Sequence, residues 1–147
     1  MAAAPAPRLI LAFDLGLRRI GVAHGDTLTR TAAALATLHG GPQGPPWDMI
    51  HSLVRDWQPT LAVVGLPYNA DGSESAMSAA ARGFAAELTR RCALPVTLVD
   101  ERFSSLEAQA RLREARESGL RKRRVAKADV DGAAACVILE RWFSGST

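Results

Sequence analysis

Three carboxylates stand where they could act together on a phosphodiester. Asp14 ends an apolar run, Leu9-Ile10-Leu11-Ala12-Phe13, and Gly16 follows two residues later. Glu101 lies just past a second apolar run, in Asp100-Glu101-Arg102, and Asp131 opens a helical segment that continues Ala133-Ala134-Ala135. A charge at the tip of a buried strand is costly unless it is hydrated, paired or bound to a cation. Three clustered carboxylates raise one another's pKa, and a divalent cation relieves that repulsion. Hard Mg2+ or Mn2+ takes oxygen ligands and keeps waters for substrate phosphates. Two such ions activate a water and stabilise the leaving oxygen of a phosphodiester. Each acid alone has a plainer reading. Asp14 reads as a turn former, Asp131 as an acid favoured by its helix dipole, and Glu101 as a surface partner of Arg102. Asp100 and Asp129 are the alternatives to Glu101 and Asp131. The joint pattern, rather than any single acid, points to a metal site.

The elements must bring these acids together. Arg8 to Phe13 reads as a central strand, Arg19 to Gly25 as a second and Thr29 to Leu38 as a third, with turns near Gly16 and at Asp26-Thr27. Short connections make these three an antiparallel meander. His39-Gly40-Gly41-Pro42-Gln43-Gly44-Pro45-Pro46 is a loop by composition. From Trp47 the apolar residues Trp47, Ile50, Leu53, Val54 and Trp57 recur at helical spacing, and Pro59 ends that helix. Leu61 to Gly65 is a buried strand, Leu66 to Ser73 a polar loop and Ser75 to Cys92 an Ala-rich helix. Pro95 to Val99 is another strand. Ser104 and Glu107 are spaced as a capping box for a helix that fades near Ser118-Gly119. Val130 to Phe143 is the last helix. The order is βββ, then αβ, αβ and helices: an α/β fold with a five-stranded mixed sheet, three strands antiparallel and two parallel, and helices on both faces. Ligands bind such sheets at the carboxyl ends of the strands. The three alanines let the final helix approach the sheet closely, so that Asp131 faces Asp14 and Glu101 across a narrow gap.

Composition narrows the class. The chain has 147 residues, 48% of them apolar, which suits one domain with a sizeable core. We expect a flexible leader over 1–7 and a single domain over 8–144. The formal charge of +3 favours a polyanionic partner. The two cysteines, Cys92 and Cys136, have no CxxC spacing and no paired histidines. They read as core residues of a reducing compartment rather than as zinc ligands. Met1 to Pro7 lacks the pattern of a signal peptide, and no apolar run reaches the ~20 residues of a membrane span. A cytoplasmic protein without membrane attachment is the expectation. His24, His39 and His51 are isolated, and the Trp and Phe residues are assigned to the core.

Two segments suit a nucleic acid. The loop Gly65 to Ser73 follows a strand and precedes a helix, where backbone N–H groups can hold a phosphate, although the same residues make an ordinary turn. The basic run Arg121-Lys122-Arg123-Arg124, with Lys127, stands just before the helix bearing Asp131, where it can track a phosphate backbone. A solvated charged loop is the plainer alternative. We assign Gly16, Arg18, Arg19, Asn69, Arg102, Arg121, Lys122, Arg123, Arg124 and Lys127 as candidate substrate contacts.

Four ordered motifs carry a resemblance. They are Phe13-Asp14-Leu15-Gly16 with Arg19-Ile20-Gly21-Val22-Ala23; Val64-Gly65-Leu66-Pro67 through Asn69, Asp71 and Gly72, then Arg82 and Phe84; Asp100-Glu101-Arg102 with Ser104 and Glu107-Ala108; and Val130-Asp131 with Ala133 to Ala135 and Ile138-Leu139. Together they resemble the YqgF (RuvX-like) family over nearly the whole chain after the leader. Ala70 and Phe103 depart from residues common there, without touching the acids. The resemblance implies a ribonuclease H-like fold and a metal-dependent nuclease with Asp14, Glu101 and Asp131 as catalytic acids and Mg2+ or Mn2+ as cofactor. It implies processing of the 5′ end of pre-16S rRNA in ribosomal precursor particles, or resolution of branched DNA such as Holliday junctions; we expect a monomer or weak homodimer. A non-catalytic RNA-binding assembly factor is a third possibility. Asp-x-Gly-x4-Gly also opens actin-like ATPases and sugar kinases, but those need two lobes, and this chain is too short for a second.

Overall fold

The structure, a computed structural model, describes residues 8–16, 18–69, 71–100 and 127–145, with the backbone alone for 127–131. Eight elements follow in order: β1 (Leu9–Leu15), β2 (Arg19–Asp26), β3 (Ala32–His39), α1 (Trp47–Trp57), β4 (Leu61–Leu66), α2 (Ala76–Cys92), β5 (Val96–Asp100) and α3 (Lys127–Gly145). The sheet order is β3-β2-β1-β4-β5. β1 pairs antiparallel with β2 and parallel with β4, and β4 is parallel to β5. The expected five-stranded mixed sheet is therefore the one found, and β1, β4 and β5 end on one edge.

The two-residue alternation of β1 splits its side chains between two cores. Leu11 and Phe13 join Ile20, Val22, Val64, Ile50, Phe84 and Leu88 on the face covered by α1 and α2. Ile10 and Ala12 join Ala23, Val63, Ala135, Ile138, Leu139 and Phe143 on the face covered by α3. Helices thus lie on both faces. The α3 face is built for close approach: a Cβ on Gly132 would come within 3.2 Å of the Ala34 Cβ, and one on Gly25 within 3.0 Å of Leu139 Cδ2. Arg30 donates to the Phe143 carbonyl near the end of α3, and Arg141 Nη1 donates to the Asp100 carbonyl at 3.0 Å.

Local chemistry sets the boundaries. β3 begins at Ala32 rather than Thr29 because Asp26 Oδ1 accepts the N–H groups of Leu28 and Thr29 at 2.9 and 2.8 Å. That turn runs on through Arg30, whose φ is 56°. α1 ends at Gln58, in the left-handed region, with Pro59 behind it. α2 starts from a capping box in which Ser75 and Ser78 each accept the other's N–H. α3 is described from Lys127 and is already helical ahead of the expected Val130. The helix expected from Ser104 lies outside the described residues.

Candidate functional site

Asp14 is the next-to-last residue of β1 and half-buried. Alternation from Ile10 and Ala12 puts it on the α3 face. Its partner in β2 is Gly21. In β4, Gly65 follows Val64, the partner of Phe13, and itself pairs with Val99 of β5. The residues directly opposite Asp14 in the two adjacent strands are therefore glycines. Arg19 begins β2 on the same face by the same alternation.

The fate of the other predicted residues is mixed. Asp131 lies in α3, the helix covering the face that carries Asp14, but only its backbone is described. Glu101, Arg102 and Arg121 to Arg124 lie outside the described residues, as does the side chain of Lys127. Asp100 is exposed, and alternation from Val99, which packs toward α3, turns it to the other face. That parity disfavours Asp100 as the companion of Asp14. Among the described residues no trio of His, Cys, Asp or Glu is gathered as for a metal ion; the predicted trio has two members beyond them. What is described fits a hard divalent cation: a carboxylate donor at the carboxyl end of a central strand, flanked by two glycines, under the helix that carries a second acid.

Gly16 closes the β1–β2 turn. Its N–H donates to the Arg19 carbonyl at 2.8 Å, and a Cβ there would lie 2.9 Å from that oxygen. Asn69 is engaged in its own loop: Nδ2 donates to Ser73 Oγ at 3.0 Å, and its N–H to the Ser73 carbonyl at 2.8 Å. Asp71 accepts from the Ser73 hydroxyl at 2.6 Å and from its N–H, which hold its carboxyl below the usual carboxylate range. The segment before α2 is thus a self-bonded turn, the plainer of its two sequence readings. His24, without a role in the sequence, rests against Trp57 at a ring distance of 4.6 Å.

A feature the sequence reading missed lies across the sheet from Asp14. A cavity of about 610 Å³ opens at the same strand end, on the α1/α2 face, between the β1–β2 turn, the loop before α1 and one side of α2. Leu15, Ile20, Trp47, Met77 and Phe84 supply apolar wall, and Arg18 and Glu87 supply charge. The only sequence signal was the glycine- and proline-rich loop from His39 to Pro46.

Comparison with known proteins bears on both fold and family. Thermus thermophilus RuvC, solved in complex with a Holliday junction substrate, superposes with a TM-score of 0.55 at 16% identity, over 95% of this chain and 97% of RuvC. The yeast mitochondrial Holliday junction resolvase Ydc2 gives a TM-score of 0.50 at 10% identity, over 91% of this chain and 77% of Ydc2. The fold is therefore of the ribonuclease H-like, RuvC type. A family model described as "RuvX: Holliday junction resolvase" matches residues 8–145. This chain belongs to the RuvX family. Relatives in Yersinia pestis and Yersinia pseudotuberculosis are 45% identical over 138 residues, spanning 94% of this chain and 96% of each relative. Both carry the name "Putative pre-16S rRNA nuclease".

Proposed function

We propose that this protein is a divalent-metal-dependent nuclease that processes the 5′ end of pre-16S rRNA during ribosome biogenesis in the cytoplasm. Membership of the RuvX family makes it a hydrolase of phosphodiester bonds. The observation that carries the site is Asp14 at the carboxyl end of β1, between Gly21 and Gly65 and beneath the helix bearing Asp131. Asp14, Glu101 and Asp131 would hold Mg2+ or Mn2+, which when bound supplies an activated water and stabilises the leaving oxygen. The chain's own work is to fix the carboxylates. The β1–β2 hairpin locks Asp14 in register, and the close packing of α3 would bring the second acid toward it. Arg18, Arg19 and Arg102, with the run from Arg121 to Lys127, would neutralise phosphates along the strand. The name of the Yersinia relatives favours RNA as substrate. The RuvC neighbour, solved with a Holliday junction, favours a second reading, branched DNA. A protomer acting alone suits the RNA reading, and a dimer with two sites facing one junction would suit the DNA reading.

The test is Asp14→Asn. Side-by-side assays should use a pre-16S rRNA leader and a four-way DNA junction, with Mg2+ or EDTA. Removing a ligand should cost more than the roughly 10–100-fold that follows loss of a second-shell partner, with the circular dichroism spectrum unchanged. Mg2+-dependent cleavage retained by the pure variant would overturn the assignment. Cleavage of the junction but not the leader would select the DNA reading.

A further inference from the structure

We propose that the cavity across the sheet from Asp14 receives an unstacked base of a single-stranded nucleic acid whose backbone crosses the carboxyl edge of the sheet. This rests on the nuclease reading for the placement of the strand, but base binding itself is separable from cleavage. The first argument is continuity. Leu15 and Gly16, which line the cavity, directly follow Asp14 in the chain, and Leu15 packs on the opposite face of β1. A strand with one phosphate at Asp14 would have a neighbouring nucleotide at the cavity mouth.

Size and lining agree. About 610 Å³ lies within the roughly 300–1,000 Å³ of small-molecule sites, which are mostly apolar with a few polar groups. Trp47 stacks on Phe84 at a centroid distance of 5.4 Å, giving a rigid aromatic wall. Such walls accept any base, because every base has a π-face. Charge is arranged to suit a nucleotide. Arg18, exposed at the lining, can meet a phosphate. The Glu87 carboxylate is engaged by Arg90 and Arg91, so its charge is offset on its own helix. Arg91 also stands over the Trp47 ring, 4.7 Å from its centroid.

Gly83 provides the test. It lines the cavity, and a Cβ there would meet nothing within 4 Å. Gly83→Met would therefore fill the space from α2 without colliding with the core, and Ala80→Met would do so one turn earlier. Ala79→Met, on the same helix but not on the cavity, is the control. The probe is a six-nucleotide RNA with one 2-aminopurine, and its DNA counterpart, titrated in EDTA so that cleavage plays no part. Binding should quench the base fluorescence and saturate. Affinity should fall about 5- to 150-fold in Gly83→Met and Ala80→Met, the range set by loss of one base stack, and hold in Ala79→Met. Unchanged affinity in both filled variants, each shown folded by circular dichroism, overturns the proposal and leaves the nuclease reading standing. Saturable binding of adenosine monophosphate without binding of either oligonucleotide overturns it in favour of a free nucleotide. Pocket-dependent binding by a wild-type protein that cleaves nothing in Mg2+ supports the pocket and removes the nuclease reading.

Discussion

The two faces of the sheet are built from different side chains and for different ends. On the α1/α2 face the contacts are large: Phe13 meets Phe84 edge-on at 5.6 Å, Trp47 stacks on Phe84, and Leu88 and Ile50 are fully buried. On the α3 face large residues, Ile138, Leu139 and Phe143 of the helix over Ile10 and Val63 of the sheet, are interleaved with small ones, Ala12, Ala23 and Ala135, and Gly25 lies beneath Leu139. Burial of a large side chain stabilises by about 1.5–3 kcal/mol, so both faces contribute cohesion. The second also uses its small residues to bring a helix close to the sheet, on the face that carries Asp14. One strand, β1, serves both ends through the parity of its residues. The lesson is a difference in packing: one face is held by aromatic contacts, the other sets a helix close over the strand that carries Asp14.

The sharpest way to break this comparison is to damage each face and ask what is lost. Leu88→Ala removes a fully buried side chain of α2 that does not line the cavity. It should cost about 2–5 kcal/mol, a large part of the roughly 5–15 kcal/mol that typical domains possess. Urea denaturation would read this as a lower midpoint at unchanged slope. The folded fraction, assayed in the cold, should cleave as well as the wild type. A loss of specific activity there would show that the two faces are coupled.

Ala135→Leu is the counterpart on the α3 face. Ala135 is fully buried against the sheet, and overpacking should cost about 1–3 kcal/mol, less than Leu88→Ala. Its effect on activity should be the greater of the two. A helix pushed outward misplaces Asp131 relative to Asp14, and a displacement of about 1 Å can cost on the order of 10²-fold in rate. Rate per folded molecule, measured beside the urea midpoint, gives both numbers. Full activity in Ala135→Leu would mean that the closeness of α3 does not set the site.

Much of this arrangement was legible in the sequence, and the reason is local. The run Leu9 to Phe13 ends in a charge, the Trp47 to Trp57 periodicity ends at Pro59, and Ser75 precedes an Ala-rich segment; each signal is contained within a few residues. The sequence starts β3 three residues early, because Thr29 has strand propensity while Asp26 draws its N–H into a turn. His24 had no account, because Trp57 reaches it only through the packing of α1 on β2. The cavity was invisible for the same reason. Its walls come from the β1–β2 turn, the Gly40–Trp47 segment and α2, which meet only once the sheet order is set. Trp47 and Phe84 were assigned to the core, and they do pack there; that their outer surfaces also wall a cavity needed the third dimension. The sequence reading proposes the acids as a joint pattern; of the three the structure describes the side chain of Asp14 alone, and parity adds that Asp100 faces away from it.

The smallest expected effect separates carboxylates that tie turns from the carboxylate that ends β1. Asp71 belongs to the loop that launches α2, and the Ser73 hydroxyl and N–H hold its carboxyl below the ordinary carboxylate range. A group whose pKa is lowered by folding stabilises the native state above the unfolded pKa, and that contribution is lost as pH falls through the folded value. The Ser73 contacts should therefore help at neutral pH and stop helping on strong acidification. Asp71→Asn removes the ionisation, so the gap in urea midpoint between wild type and variant should be present at neutral pH and narrow as the pH is lowered through the carboxylate range. Because Asp71 is fully exposed, solvent screens the effect and the gap should be small. The pH dependence of cleavage should be the same in both proteins, since this carboxylate ties a loop and holds no substrate. A changed pH–rate profile in Asp71→Asn would move the loop before α2 from scaffold to site, and would reopen the phosphate-cradle reading of Asn69.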